Sequence, residues 1–300
     1  MTQSDQISRD GKSADSDSRP GVGADPSDDK TVAETEVEDT LLEAIDQGRR
    51  RLSRRYPALL ATGAVGGIDV GTGVLGLLFV EHVTGSKVLG GLAFSIGFIA
   101  LAYARSELFT EDFLVPVTTV IARQARFRML IRLWSGTLVT NLLGGWVFTW
   151  LIMRGFPEWQ STAIESGHHY VQLGLGMRAF ALAILGGAVI TLMTWMQQGT
   201  DSMPGRAIPA VTAGFLLAGA QLNHAIVNSL LMFAALQTGH APFGYGQWAQ
   251  TAGWAALGNI VGGVGLVTLL RVLQVPHRLR EERKHPAVGV PITDKRREDT

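Results

Sequence analysis

From about residue 57 the chain alternates long apolar runs with short polar connections. Six runs stand out: 57–80, 88–122, 131–153, 175–197, 207–237 and 249–274. Four have the length of one bilayer crossing, since about 20 apolar residues at about 1.5 Å rise span a hydrocarbon core of about 30 Å. The second and fifth runs are overlong, and each carries a polar insert near its middle. In the second the insert is Arg105-Ser106-Glu107-Leu108-Phe109-Thr110-Glu111-Asp112, with Pro116 following; in the fifth it is Asn223-His224, with Asn228 one turn on. Irregular backbone at membrane depth survives only where protein or a cavity satisfies its polar groups, so both runs predict helices broken in mid-membrane. They hold the same place in two sets of three runs. An odd number of crossings per set inverts the second set against the first, the pattern of an inverted repeat with its site at the midplane. The expected fold class is an all-α polytopic membrane protein with six transmembrane helices in an inverted 3+3 repeat.

Charge adds an orientation. Positive residues gather in the connection 123–132 (Arg123, Arg126, Arg128, Arg132) and after the last run (Arg278, Arg280, Arg283, Lys284). The opposite connections hold one Lys in 81–87, one Arg in 154–173 and no basic residue in 238–248. Basic loops stay on the cytoplasmic side, so both termini are expected there, in a cell (inner or plasma) membrane. Trp134, Trp150, Trp159 and Trp248 fall near the expected interfaces. The first 40 residues carry eleven Asp/Glu against four Lys/Arg and no aromatic residue; such a segment is expected to be a disordered cytoplasmic tail. Residues 41–56, with Arg49, Arg50, Arg51, Arg54 and Arg55, read as a basic interfacial helix beginning near Thr40, its arginines acting chiefly as topology signals. The transporter domain is then 57–274, and 275–300 is a second cytoplasmic tail. The absence of cysteine excludes disulfides and thiolate chemistry. No phosphate-binding glycine loop follows a strand, which leaves no support for transport driven by nucleotide hydrolysis.

Candidate chemistry is concentrated at the breaks. His224 alone of the seven histidines lies inside an expected crossing, and imidazole changes charge near physiological pH. Asp69, central in a glycine-rich first run, is an intramembrane carboxylate; a structural network with Arg105 or Arg178 is the first expectation, a role in conduction the second. Glu107, Glu111 and Asp112 beside a helix break read as loop and cap chemistry rather than a catalytic set. His168-His169 is expected on an exterior loop, and two histidines alone are a poor metal site. No enzyme activity, cofactor, metal or nucleic acid is expected.

Three segments carry a resemblance to a known family. Glu107-Leu108-Phe109-Thr110 resembles the acidic-Leu-Phe-Thr loop, His224-Ala225-Ile226-Val227-Asn228 the His-x-x-x-Asn motif, and Gly258-Asn259-Ile260-Val261-Gly262-Gly263 the Gly-Asn-x-x-Gly-Gly motif of the formate/nitrite transporter family. The resemblance covers about 45–275 and implies an aquaporin-like anion channel assembled as a homo-pentamer, each copy with its own pore. It implies that His224 is the central pore histidine and that Thr110 faces it. It further implies that Phe94 and Phe98 narrow the pore, that Leu108 and Phe109 lie in the gating loop, and that Glu107, Asn228 and Asn259 support the breaks. Two positions depart from the family: Gly187 stands where a pore-facing Asn is expected, and Val171 where a vestibule Lys is expected.

The function so implied is passage of small monovalent anions or weak acids such as formate or nitrite. His224 would either balance the anion's charge or donate a proton to it. Two other readings remain: a pore for small neutral solutes, and a non-conducting membrane scaffold or sensor that docks partners through its acidic tail.

Overall fold

The computed structural model describes residues 32–284 and residue 286, and every described element is helical. Helix α1 (Val32–Leu52) precedes α2 (Tyr56–Thr84), α3 (Lys87–Ala104), α4 (Val115–Ile121) and α5 (Phe127–Gly155). A second set follows: α6 (Gln160–Gln172), α7 (Met177–Gln198), α8 (Met203–Gly219), α9 (Ala225–Gln237) and α10 (Tyr245–Gln274). Within α10, Val261–Thr268 is wound as a π-helix, and α11 (Pro276–Lys284) closes the described chain.

Five helices, α2, α3, α5, α7 and α10, are long and apolar enough to cross a membrane, and α9 is a shorter apolar helix. The overlong second run is α3 and α4 with the break between them; the fifth is α8 and α9. Helix α1 begins at Val32, inside the segment expected to be a disordered tail, and the rest of that tail lies outside the described residues. Its apolar residues explain the difference: Leu41, Ala44, Ile45 and Leu52 are buried against α4 and its surroundings, so ordering this stretch removes apolar surface from water. His168 and His169 also sit on a helix, α6, rather than a loop.

The two sets are built alike. In each, a leading helix packs on the short helix after the break (α1 on α4, α6 on α9), and the first long helix packs on the third (α2 on α5, α7 on α10). The helices before the breaks, α3 and α8, cross each other closely. A Cβ added to Gly91 would lie 2.3 Å from the Gly219 amide, and Ser95 Oγ donates to the Val211 carbonyl at 3.0 Å. Small residues are what allow such backbone approach, and within a membrane close packing replaces the missing hydrophobic drive.

Candidate functional site

Both breaks open on a non-glycine residue in the left-handed region, Arg105 (φ 53°) after α3 and Gln221 (φ 50°) after α8. That conformation costs about 1–2 kcal/mol per residue, so tertiary bonds must hold it. One asparagine supplies them at each break. Asn141 on α5 donates from Nδ2 to the carbonyls of Gly63 (2.7 Å) and Glu107 (2.8 Å), and its Oδ1 accepts from the Phe109 amide (2.8 Å). Asn259 on α10 donates to the carbonyls of Ala183 (2.7 Å) and Asn223 (2.9 Å), and accepts from the Ala225 amide (2.9 Å). The correspondence runs at one constant offset: 105 matches 221, 107 matches 223, and 109 matches 225. Each side chain thus pairs backbone groups that a broken helix leaves without partners.

Glycines let the brackets close. A Cβ on Gly67 would lie 2.1 Å from the Asn141 carbonyl oxygen, and one on Gly187 would lie 2.1 Å from that of Asn259. Gly187 is therefore no vacated asparagine position: α7 and α10 meet there backbone to backbone, and any side chain would part them. Asn141 was missed in the sequence, yet a signal was present. Asn141-Leu142-Leu143-Gly144-Gly145 repeats the pattern of Asn259-Ile260-Val261-Gly262-Gly263 in the corresponding helix.

Between the breaks lies a buried polar pair. Thr110 Oγ1 and His224 Nε2 are 2.8 Å apart, although 114 residues separate them, and both residues are fully buried. His224 is also the N-cap of α9, where its Nδ1 accepts from the Val227 amide at 3.2 Å. A ring nitrogen that accepts carries no proton, so the neutral imidazole holds its hydrogen on Nε2 and donates it to Thr110 Oγ1. The Thr110 hydroxyl hydrogen is then available to a third group. This geometry fits hydrogen-bond donation by a neutral ring, which is neither the charge balance nor the proton donation expected for His224. A cationic ring would set Nδ1–H against the Val227 amide and uncap the helix.

The other expected site residues divide. Phe94 and Phe98 stack edge to face at 5.1 Å, fully buried in the same apolar cluster as Leu108. Phe109 lies in that cluster too, with aromatic neighbours at 5.0 Å (Phe113) and 6.1 Å (Trp134). Asn228 does not hold backbone: its Nδ2 donates to Asn223 Oδ1 at 2.7 Å. Among the described residues Asp69 pairs with no arginine; Ser106 Oγ donates to its carboxylate, while Arg105 and Arg178 are exposed. A short hydroxyl within the break reaches the carboxylate, whereas two long cations keep their charges in water.

The acidic residues of the first break are not simple caps. The Glu107 carboxylate lies 2.8 Å from Arg54 Nη1 and 3.5 Å from Arg51 Nε. Asp112 accepts from Arg51 Nη1 and from Thr137 Oγ1, both at 3.3 Å. Arg51 and Arg54, expected as topology signals, are thus counter-charges carried in by the end of α1 and the connection after it. Glu107 and Asp112 are 1% and 0% exposed, and charges so buried persist only when compensated. Beside them is a cavity of about 370 Å³, walled partly by Arg51, Arg54, Arg105, Glu107, Glu111 and Arg206.

The family model for the formate/nitrite transporter matches residues 38–273. The chain belongs to that family. The chain is 28% identical to the inner membrane protein YfdC of Escherichia coli (strain K12) over 254 residues, covering 80% of this chain and 79% of the relative. It is 24% identical to the formate channel BtFdhC of Bacillus thuringiensis over 237 residues, covering 74% and 89%. Among solved structures, a formate/nitrite-transporter-family ion channel aligns with a TM-score of 0.68 at 18% identity, covering 77% of this chain and 96% of that one. A pentameric formate channel with formate bound aligns at 0.58 and 22%, covering 73% and 96%. These likenesses show the fold: this member of the formate/nitrite transporter family is an all-helical transmembrane protein.

Proposed function

We propose that the chain is a channel or transporter, not an enzyme, for small monovalent anions or weak acids of the formate or nitrite kind. In this reading six crossings, two of them broken, form a pore in each of five identical subunits, with both termini cytoplasmic. The observation that carries it is the buried Thr110–His224 bond, held between two broken helices by matched asparagine brackets. His224 donates to Thr110, and Thr110 donates onward to the anion, so a fixed donor chain replaces part of the anion's lost hydration. The N-terminus of α9 adds favourable partial charge for an anion near its first turn. Phe94, Phe98 and Leu108 form the apolar narrowing that excludes hydrated ions. Relatives and solved structures whose names specify formate support this substrate class.

The test is flux into proteoliposomes from about pH 5 to 8, the range in which an ordinary imidazole titrates. Wild type and His224→Asn are compared with formate, nitrite, acetate, chloride and a neutral solute. Wild type is expected to pass the weak-acid anions. Disrupting a donor chain to a charged ligand removes about 1.5–3 kcal/mol, so the variant should pass them roughly 10- to 100-fold more slowly. A well-assembled wild type that conducts none of these anions overturns the reading in favour of a scaffold; neutral-solute flux alone favours a neutral pore.

A further inference from the structure

A weak acid crosses the apolar stretch at Phe94, Phe98 and Leu108 most cheaply as a neutral molecule, because burying an unpaired carboxylate costs far more than burying its acid. A proton must therefore join the anion on one side and leave it on the other. His224 is poorly placed to give it, since Nδ1 is engaged as the acceptor that caps α9. Losing the Nε2 proton would leave an imidazolate. Thr110 is too weak an acid. One residue beyond Thr110 stands a carboxyl group without a role in the mechanism so far.

Glu111 is 5% exposed, yet it forms part of the wall of the 370 Å³ cavity on the α1 side of the break. Its neighbours Glu107 and Asp112 both have guanidinium partners; Glu111 has no ion-pair partner among the described residues. The charged groups around the cavity come from several elements. Glu43, Arg50 and Arg51 belong to α1, Arg54 to the connection after it, and Arg105 and Glu107 to the first break, while Asp69 of α2 also acts on Glu111 through its charge. Asp201 and Arg206 face them from the start of α8 and the connection before it. Arg51 and Arg54 are committed to Glu107 and Asp112, and Arg50 to Glu43 and Asp46. Arg105 has no ion-pair partner among the described residues and is held in its left-handed conformation at the cavity wall. An anion drawn to Arg105 and Arg206 would rest beside a carboxyl group, one residue from the Thr110–His224 pair.

We propose that Glu111 is the proton-exchanging residue of this pathway, an inference that rests on the conduction reading above. The O–H bond of the Glu111 carboxyl group breaks as an O–H bond forms on the anion, giving the neutral acid and a Glu111 carboxylate. The acid, rather than the bare anion, then moves on past His224 and Thr110, whose hydroxyl donates to its carbonyl oxygen. Glu111 regains a proton from hydronium in the cavity. Passage in the opposite direction reverses each step. Proton exchange between two carboxylic acids is close to balanced, which suits a group that must both give and take.

The experiment uses the full chain in liposomes that report formate uptake and internal pH together, comparing wild type, Glu111→Gln and Glu111→Asp. Wild type should carry one proton with each formate. Glu111→Gln, unable to carry a proton, should slow uptake at neutral pH by roughly 10²-fold, the lower end of what a positioned acid contributes. Its rate should recover as external acidity supplies the neutral acid directly. Glu111→Asp should retain the coupling with a displaced pH profile, and this decides the matter if Glu111→Gln does not assemble. Glu111→Gln with wild-type rate, stoichiometry and pH profile overturns the inference while leaving conduction intact, as does an Asp variant with an unmoved profile if the Gln variant fails to assemble. A wild type that passes no anion overturns the conduction reading, and this inference with it.

Discussion

The two helix breaks share a scaffold and differ in what it holds. At both, a left-handed residue ends the first helix, an asparagine from the third helix clasps the exposed backbone, and a glycine admits that clasp. The break between α8 and α9 is otherwise apolar and amide-lined, with His224 as its ionisable group. The break between α3 and α4 places Glu107, Glu111 and Asp112 within six residues and borrows Arg51 from α1, and Arg54 from just beyond it, to compensate Glu107 and Asp112. Backbone satisfaction is a requirement any broken membrane helix must meet, so it is solved identically twice. Charge is optional there, and only one break carries a cluster of it. The shared part is architecture; the unshared part is where chemical specialisation is to be sought.

The largest effect should come from the shared part. Asn141→Ala and Asn259→Ala each orphan an amide and a break carbonyl, and at about 1–3 kcal/mol per unsatisfied buried group each should lose roughly 2–6 kcal/mol. Thermal unfolding of the purified protein in detergent would compare them. Similar losses support equivalence; a loss at only one site breaks the comparison. Arg51→Met probes the difference. Removing one partner of a buried ion pair costs about 3–5 kcal/mol, less here because Arg51 is partly exposed and Arg54 remains, so about 2–3 kcal/mol is expected. Asp112→Asn in the Arg51→Met background should recover much of that loss, and a double variant no more stable than the single would show that the arginine acts through packing alone.

A smaller effect is expected at His169 on α6, the counterpart of α1. Burial, with the nearby charges of Lys87 and Arg178, lowers its pKa below the usual histidine range. The unfolded chain therefore binds a proton first as the pH falls through about 6.5, and stability declines from there downward. His169→Gln should flatten that decline in unfolding curves at successive pH values, while an unchanged acid slope would remove His169 from the account. The half-buried position keeps the effect modest.

The apolar runs and both interruptions were legible because each is a local property: length, hydropathy and a polar insert. His224, Thr110 and Asn259 were legible through the family motifs. Asn141 was equally legible as a repeat of the Asn259 motif, but only once the two sets were aligned against each other. Arg51 looked like a topology signal because nothing local distinguishes a guanidinium that remains in water from one that docks. Its link to Asp112 crosses 61 residues. Asp69 had two plausible cationic partners in the sequence, and a serine hydroxyl took the place of both.

The sequence by itself determined that this chain is a bundle of membrane-length helices with two breaks and a histidine at one of them. Hydrophobic length and the cost of polar groups in hydrocarbon are additive along a chain, so they can be read in order. Only the tertiary structure decided which hydrogen His224 carries, which asparagine clasps which break, and which arginines leave the surface for buried carboxylates. Those outcomes depend on distances of a few ångströms between residues far apart in sequence, where one competing partner excludes another.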